Sequence, residues 1–386
     1  MAAPMVMSIS AVIAKHSKSS LRFAFNPSKR CHTVTMADSA KLCSKFRGCL
    51  AGALMGDCLG EPFENDDYEE LPSERQLNDF FQQLVQAKVK VPYKNYTDDT
   101  AMTRCIAESL INKQAFDAKD MATRSVKEYF TEPGRGYGSN VPVVFGNLRK
   151  QECEQPFLPA REQFNGRGSF GNGGAMRVAP VALFCHNNVQ SLIDVAKKSA
   201  LITHAHREGY NGAILQCLAV HLALQADPGR PLDGADFIDR LRTHMEQVEE
   251  CSGDEIVDAG RLAAPYQKML TVAGELLRRQ PAPGRDSVVA LLGHDVSALN
   301  SVPTAVYCFL RGLLPLPGIE AESPFVRTIQ YAISLGGDTD TIGSMAGAIA
   351  GAYHGMEAVP APLLQYCEKA DEALAQADAL FELLER

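Results

Sequence analysis

No basic run in this 386-residue chain is dense enough to form a DNA-binding face, and the net charge is −8. An anionic ligand must therefore be held locally, and Arg135, Arg167 and Arg177, each near glycines, are candidates. The eleven cysteines include no C-x-x-C pair, which argues against a structural zinc site. Their odd number also fits poorly with a complete disulfide framework. Cys105, Cys217 and Cys308 lie in apolar stretches and read as small core residues in a reducing compartment. No apolar run reaches ~18 uninterrupted residues, so no membrane-spanning helix is expected. Alternating strand patterns are scarce, hairpin signals are weak, and no internal repeat is present.

One kind of residue is missing from one end. Residues 1–37 contain no Asp or Glu, yet carry Lys15, Lys18, Arg22, Lys29 and Arg30 among many serines. That composition matches an organelle transit peptide, with an ordinary disordered leader as the alternative. Met36 could start a shorter form without it. Residues 1–40 are accordingly expected to be a disordered leader and mitochondrial transit peptide. Residues 41–386 are expected to form one domain, found in the mitochondrial matrix and, for a form lacking the leader, in the nucleus and cytoplasm.

What remains reads as helices joined by Gly/Pro loops. Helical spacing is clear at Lys45–Leu59, Ala101–Ile111, Met121–Phe130, Gly212–Leu224 and Phe325–Leu335. Connections are expected at Asp227–Gly234, Gln280–Asp286 and Leu314–Pro324. With 46% hydrophobic residues, a substantial core can form. Two stretches, Gly48–Gly56 and Gly343–Gly351, are dominated by small residues. Their glycines weaken an isolated helix, so close tertiary packing in a buried centre must compensate. The expected fold is a compact, single-domain, all-α orthogonal bundle.

Two acidic clusters stand out: Tyr96-Thr97-Asp98-Asp99-Thr100 and Gly337-Asp338-Thr339-Asp340-Thr341. Crowded carboxylates repel and lose solvation on burial, so folding alone disfavours them unless a cation lies between them. Carboxylate and hydroxyl oxygens suit Mg²⁺, Mn²⁺ or Ca²⁺. If the clusters meet, they can hold two hard cations about 3.5–4 Å apart, a hydrolytic geometry. Thr97 and Asp338 or Asp340 can also cap the helices that follow, and capping is compatible with metal binding. An EF-hand is excluded, because Ile342 and Ile349 occupy ligand positions.

Other candidates lie between the clusters. Gly60 and Pro62 end the first small-residue helix, leaving Glu61 and Glu64 on an irregular segment where a carboxylate can act as general acid or base. Phe164–Gly174 contains a formal G-x-G-x-x-G, but no β-run precedes it and it lacks the Lys-Ser/Thr of a P-loop. Successive glycines can still turn backbone N–H groups onto an anion, and Phe164 or Phe170 could stack on a base. Glu132–Ser139 is similar and could face the same ligand. His204, between apolar residues, is a candidate for substrate contact only.

Gly56-Asp57-Cys58-Leu59-Gly60 through Glu64, Thr97-Asp98-Asp99-Thr100 and Gly337-Asp338-Thr339-Asp340-Thr341 together resemble the ADP-ribosylhydrolase family related to the dinitrogenase-reductase-activating glycohydrolases. The likeness extends through Gln163–Ala179, Thr203-His204-Ala205, Tyr210–Gln225, Ser301–Arg311 and Ser334–Tyr353, and covers residues 44–370. Within the family, the chain resembles the branch that removes ADP-ribose from serine and degrades poly(ADP-ribose).

The resemblance implies a monomeric all-α domain with two Mg²⁺ ions, replaceable by Mn²⁺, in a central cleft. Thr97, Asp98, Asp99, Asp338, Asp340 and Thr341 would ligate them, and Glu64 would be the catalytic glutamate on a gating loop. Gly136, Tyr137, Gly138, Ser139, Phe164, Gly168, Ser169, Phe170 and His204 would hold ADP-ribose. Ser169 and the glycine amides would face the diphosphate, and Phe170, a Tyr in relatives, would stack on adenine. Expected partners are ADP-ribosylated proteins such as histones, poly(ADP-ribose) and O-acetyl-ADP-ribose, with no direct DNA binding. The alternatives are an arginine-directed sister hydrolase, a non-catalytic relative and a phosphohydrolase releasing AMP.

Overall fold

The computed structural model describes residues 36–64, 71–86, 94–251 and 264–384. The expected leader therefore lies outside the described residues up to residue 35, and its last five residues belong to the first helix. Seventeen α-helices and three short 3-10 turns occur among the described residues, with no strand. The five helices read from periodicity appear as Met36–Gly60, Asp98–Lys113, Ala118–Thr131, Arg207–Gln225 and Pro324–Ser334. Their ends follow local chemistry. Asp117 and Asn188 each accept a hydrogen bond from the first turn they precede. Pro324 starts a helix where its missing N–H costs nothing, and the Met36–Gly60 helix stops just before Glu61-Pro62.

The centre is built from helices buried on nearly every side. Gly209 and every residue from Asn211 to Leu224 are buried, as is all of Thr339–Tyr353. Such helices carry no polar face because neighbours surround them. Cys105, Cys217 and Cys308 are buried free thiols, as their apolar setting predicts.

The two small-residue stretches are partners. Gly48, Gly52 and Gly56 recur every fourth residue and form one stripe along the first helix. They face Gly351, Gly347 and Gly343 in reverse order, so the helices run antiparallel. A β-carbon on Gly343 would lie 2.8 Å from the Gly56 oxygen. One on Gly52, Gly347 or Gly351 would press still harder on the facing carbonyl. Only glycine permits this backbone approach.

This contact sets where the chemistry lies. The C-terminal end of the Met36–Gly60 helix meets the N-terminal end of the Thr339–His354 helix. Gly60 packs against Thr339 and Asp340, and its carbonyl accepts a hydrogen bond from the Thr339 hydroxyl at 2.9 Å. Gly52→Val should lower stability by about 3 kcal/mol or more, because the clash is with backbone that cannot rotate away. Gly146→Ala is the control: nothing lies within 4 Å of its β-position, and a helical Gly→Ala exchange is neutral or stabilising. Equal urea midpoints for wild type and Gly52→Val would refute the steric account.

Candidate active site

The Asp98–Lys113 helix begins with Thr97 as its cap, the hydroxyl accepting from the Asp99 N–H at 3.3 Å. The capping expectation holds there. Asp338 takes the cap position of the Thr339–His354 helix, but its side chain makes no capping bond. Its carboxylate is turned elsewhere: Asn172 Nδ2 donates to its Oδ2 at 2.5 Å.

The two acidic clusters meet. Thr341 Oγ1 donates to Asp99 Oδ2 at 3.0 Å across 242 residues of chain. Carboxylate oxygens of Glu64, Asp338 and Asp340 lie within 4.8 Å of one another. Burial raises the carboxyls of Asp98, Asp99 and Asp338 well above the usual range, and neighbouring Asp340 pushes them further. Asp340 is raised too, chiefly by burial. Asp99 Oδ1 is buried with no hydrogen-bond partner among the described residues. Oxygen donors that repel one another, one of them orphaned, fit a hard divalent cation.

The sequence reading gave Asp57 no role of its own. It is wholly buried and accepts from the N–H of Thr97 at 3.0 Å, the N–H of Thr100 at 3.1 Å and the Thr100 hydroxyl at 2.5 Å. It thereby ties the first acidic cluster to the first helix. Burial, and then Asp340, push its carboxyl up to about 7. A single Asp inside a small-residue helix carries no local signal of this role. Asn172 was missed for the same reason, as one amide among glycines.

A cavity of about 400 Å³ opens from the acids. Glu64, Asp98, Asp338, Asp340 and Thr341 line one part of it. Gly136, Tyr137, Gly138 and Ser139 form a second part, so they and the glycine-rich loop line one cavity. Phe164, Ser169, Phe170 and His204 form a third. Thr97 and Asp99 are not in the lining. Nor is Gly168, which is buried at φ +73° against Ala205 and His206 and shapes the wall from behind. Glu61 is absent from the lining, so Glu64 is the glutamate that reaches the cavity.

Phe164 and Phe170 remain exposed at 45% and 46%. Phe164 adopts φ 51° and ψ 44°, a left-handed conformation costly for a bulky residue. It is held by flanking bonds: Gln163 Nε2 donates to the Thr203 carbonyl at 2.6 Å, and Gly168 N–H to the Gln163 carbonyl at 3.0 Å.

Two of the three arginine candidates are corrected. Arg135 is bound by Glu132 and Glu368 and lies over the Tyr96 ring at 3.8 Å, so its charge is already neutralised. Its carbonyl accepts from the Asp98 N–H at 2.7 Å, making it a strut for the acidic cluster. Arg167 is exposed outside the lining. Arg177 is buried and does line the cavity.

With this geometry in view, known proteins place the chain. A family model described as ADP-ribosylglycohydrolase matches residues 38–386. A protein from Bos taurus named ADP-ribosylhydrolase ARH3 is 46% identical over 356 residues, spanning 91% of this chain and 96% of its own. The Homo sapiens protein of the same name is 46% identical over 357 residues, spanning 90% and 96%. A solved structure titled ADP-ribosylglycohydrolase-related protein complex shares the fold at TM-score 0.60 and 23% identity, over 89% of this chain and 99% of its own. The family match runs through both acidic clusters and the cavity between them, and the chain belongs to the ADP-ribosylglycohydrolase family.

Proposed function

We propose that this chain hydrolyses the O-glycosidic bond between ADP-ribose and serine side chains. Poly(ADP-ribose) and O-acetyl-ADP-ribose, which present the same anomeric carbon joined to oxygen, would be further substrates, and ADP-ribosylated histones are among the expected proteins. The observation that carries this reading is one cavity holding an acidic, hydroxyl-rich cluster together with a glycine-rich loop and two exposed phenylalanines. The similarity to proteins named ADP-ribosylhydrolase ARH3 supports it.

Each part of the cavity suits a part of ADP-ribose. Phe170, with Phe164 nearby, offers an apolar face for adenine. Ser169 and the adjacent glycine amides offer donors to the diphosphate. The acids would suit the distal ribose through two Mg²⁺ ions, which Thr97, Asp98, Asp99, Asp338, Asp340 and Thr341 would hold. A cation pair there would polarise the ribose hydroxyls and lower the pKa of an attacking water. Bond cleavage develops positive charge at the anomeric carbon, and the surrounding carboxylates stabilise it. Glu64 follows a 3-10 turn at the end of the first helix, beside Asp338 and Asp340. From there it can deliver a proton to the departing serine oxygen or take one from water. The chain would act as a monomer, in the mitochondrial matrix, nucleus and cytoplasm.

The decisive assay uses a serine-ADP-ribosylated peptide and its arginine counterpart, with Mg²⁺ and with a chelator. Intact ADP-ribose should leave the serine peptide only, and only with metal. Release from arginine would favour the sister activity, and release of AMP a phosphohydrolase. Glu64→Gln should lower turnover by about 10²–10⁴-fold while ADP-ribose still binds; full turnover in that variant would remove Glu64 from the chemistry.

Charge repulsion predicts how the metal-free protein responds to pH. Asp57 lies at about 7 in the fold against an ordinary 3.8, and its neighbours shift the same way. The folded chain therefore keeps protons that the unfolded chain has released, and stability falls as pH rises through that window. The melting temperature of chelator-treated protein should drop between about pH 4 and pH 7, and Mg²⁺ should flatten the slope. A melting temperature that rises over that interval without metal would contradict this electrostatic picture.

A further inference from the structure

Arg177 is a guanidinium only 5% exposed, with no carboxylate in ion-pair contact among the described residues. Its Nη2 donates to the Ser199 carbonyl at 3.1 Å and to Thr203 Oγ1 at 2.7 Å. Thr203 Oγ1 is also 2.7 Å from His204 Nδ1. These three side chains all line the cavity.

The proton positions follow from donor and acceptor capacity. A guanidinium can only donate, so the Thr203 oxygen accepts from Arg177. The hydroxyl proton then needs an acceptor. Among the described residues, the one in contact with it is His204 Nδ1. With the Thr203 hydroxyl donating to it, Nδ1 is unprotonated and the ring proton resides on Nε2. Nε2 makes no hydrogen bond within the described residues. It lies beside the loop: β-carbons on Gly171 and Gly173 would fall 3.3 Å and 3.1 Å from it.

We propose that Arg177 and Thr203 are positioning residues that lock His204 in its Nε2–H tautomer, so that the ring donates a hydrogen bond to a phosphate oxygen of the bound nucleotide. The ligand contact rests on the proposed function; the relay does not. Burial and Arg177 hold the ring's pKa down at about 3, so it stays neutral across the working range. A neutral imidazole has one N–H to give, and the wrong tautomer would present a lone pair to an anion. The relay removes that failure. It also uses a buried cation without placing the guanidinium on the substrate.

The test uses the full chain with ¹⁵N-labelled histidine and no ligand. The His204 signals are identified by their loss in His204→Asn. Nitrogen shifts should show protonation at Nε2 alone, unchanged from about pH 8 to pH 5. Protonation at Nδ1, or conversion to imidazolium in that range, overturns the relay. Thr203→Val, which keeps the shape and removes the hydroxyl, should mix the tautomers, whereas Thr203→Ser should preserve the wild-type pattern. Calorimetric titration with ADP-ribose and Mg²⁺ should show about tenfold weaker binding for Thr203→Val and none of that loss for Thr203→Ser. Wild-type affinity in a folded Thr203→Val variant overturns the positioning role. If wild type itself binds no ADP-ribose, the proposed function and the phosphate contact fall, while the tautomer is still decided by the free protein.

Discussion

The backbone-to-backbone contact between the Met36–Gly60 and Thr339–His354 helices is the constraint on which the site depends. Each helix carries a glycine stripe that is locally unfavourable, and the two stripes remove each other's disadvantage by letting the carbonyl chains touch. The contact has a consequence at each end. At one end, Gly48 and Gly351 approach as closely as Gly52 and Gly347 do in the middle. At the other, Gly56 and Gly343 bring Asp57 and Glu64 of one helix region to Asp338 and Asp340 of the other. Widening the helix separation would move these oxygens apart, so packing in the core and donor spacing in the cleft are one geometric quantity.

That packing concentrates negative charge where water is scarce. Burial raises the carboxyls of Asp57, Asp98, Asp99, Asp338 and Asp340, and repulsion adds to the shift for the first four. The protein answers this charge unevenly. Asp57 accepts from Thr97 and Thr100, Asn172 gives Asp338 one strong donor, and the hydroxyls of Thr97 and Thr341 both donate to Oδ2 of Asp99. Asp99 Oδ1 receives nothing from the described residues. Well-fitted structural carboxylates usually satisfy both oxygens, so this deficit points to a cation as a stabilising component of the fold as well as of the chemistry.

The fold class was legible because amphipathic and all-apolar helical runs repeat at the helical period, and the described residues are helical where those runs occur. The acidic doublets were legible because adjacent carboxylates have few uses in a core. The glycine stripes announced close packing, but the antiparallel register that pairs Gly52 with Gly347 is a property of the three-dimensional path. Arg135 shows the opposite error. A glycine-flanked arginine looks like an anion site, yet its charge is shared between nearby Glu132 and Glu368, 233 residues away, and no local pattern reveals the distant partner. Asp57, Asn172 and the Arg177–Thr203–His204 relay stayed hidden for the same reason: each depends on a contact distant in sequence.

On the proposed function, one cavity would accept cations at its acids and an anionic nucleotide beside them, demands that oppose each other at short range. The glycine-rich loop joins the two environments within three residues: Asn172 bonds Asp338, while flanking Gly171 and Gly173 pack on His204. With the acids uncompensated, their field would repel a diphosphate in so small a space. Among the described residues, the wall around His204 carries no carboxylate in its lining, and its imidazole is held neutral by burial and by the buried guanidinium of Arg177. On the proposed function, cations that neutralise the acids would ease the entry of a diphosphate. The groups that would face the two ligands are thus held on opposite sides of one loop, Asp338 by Asn172 and His204 against Gly171 and Gly173.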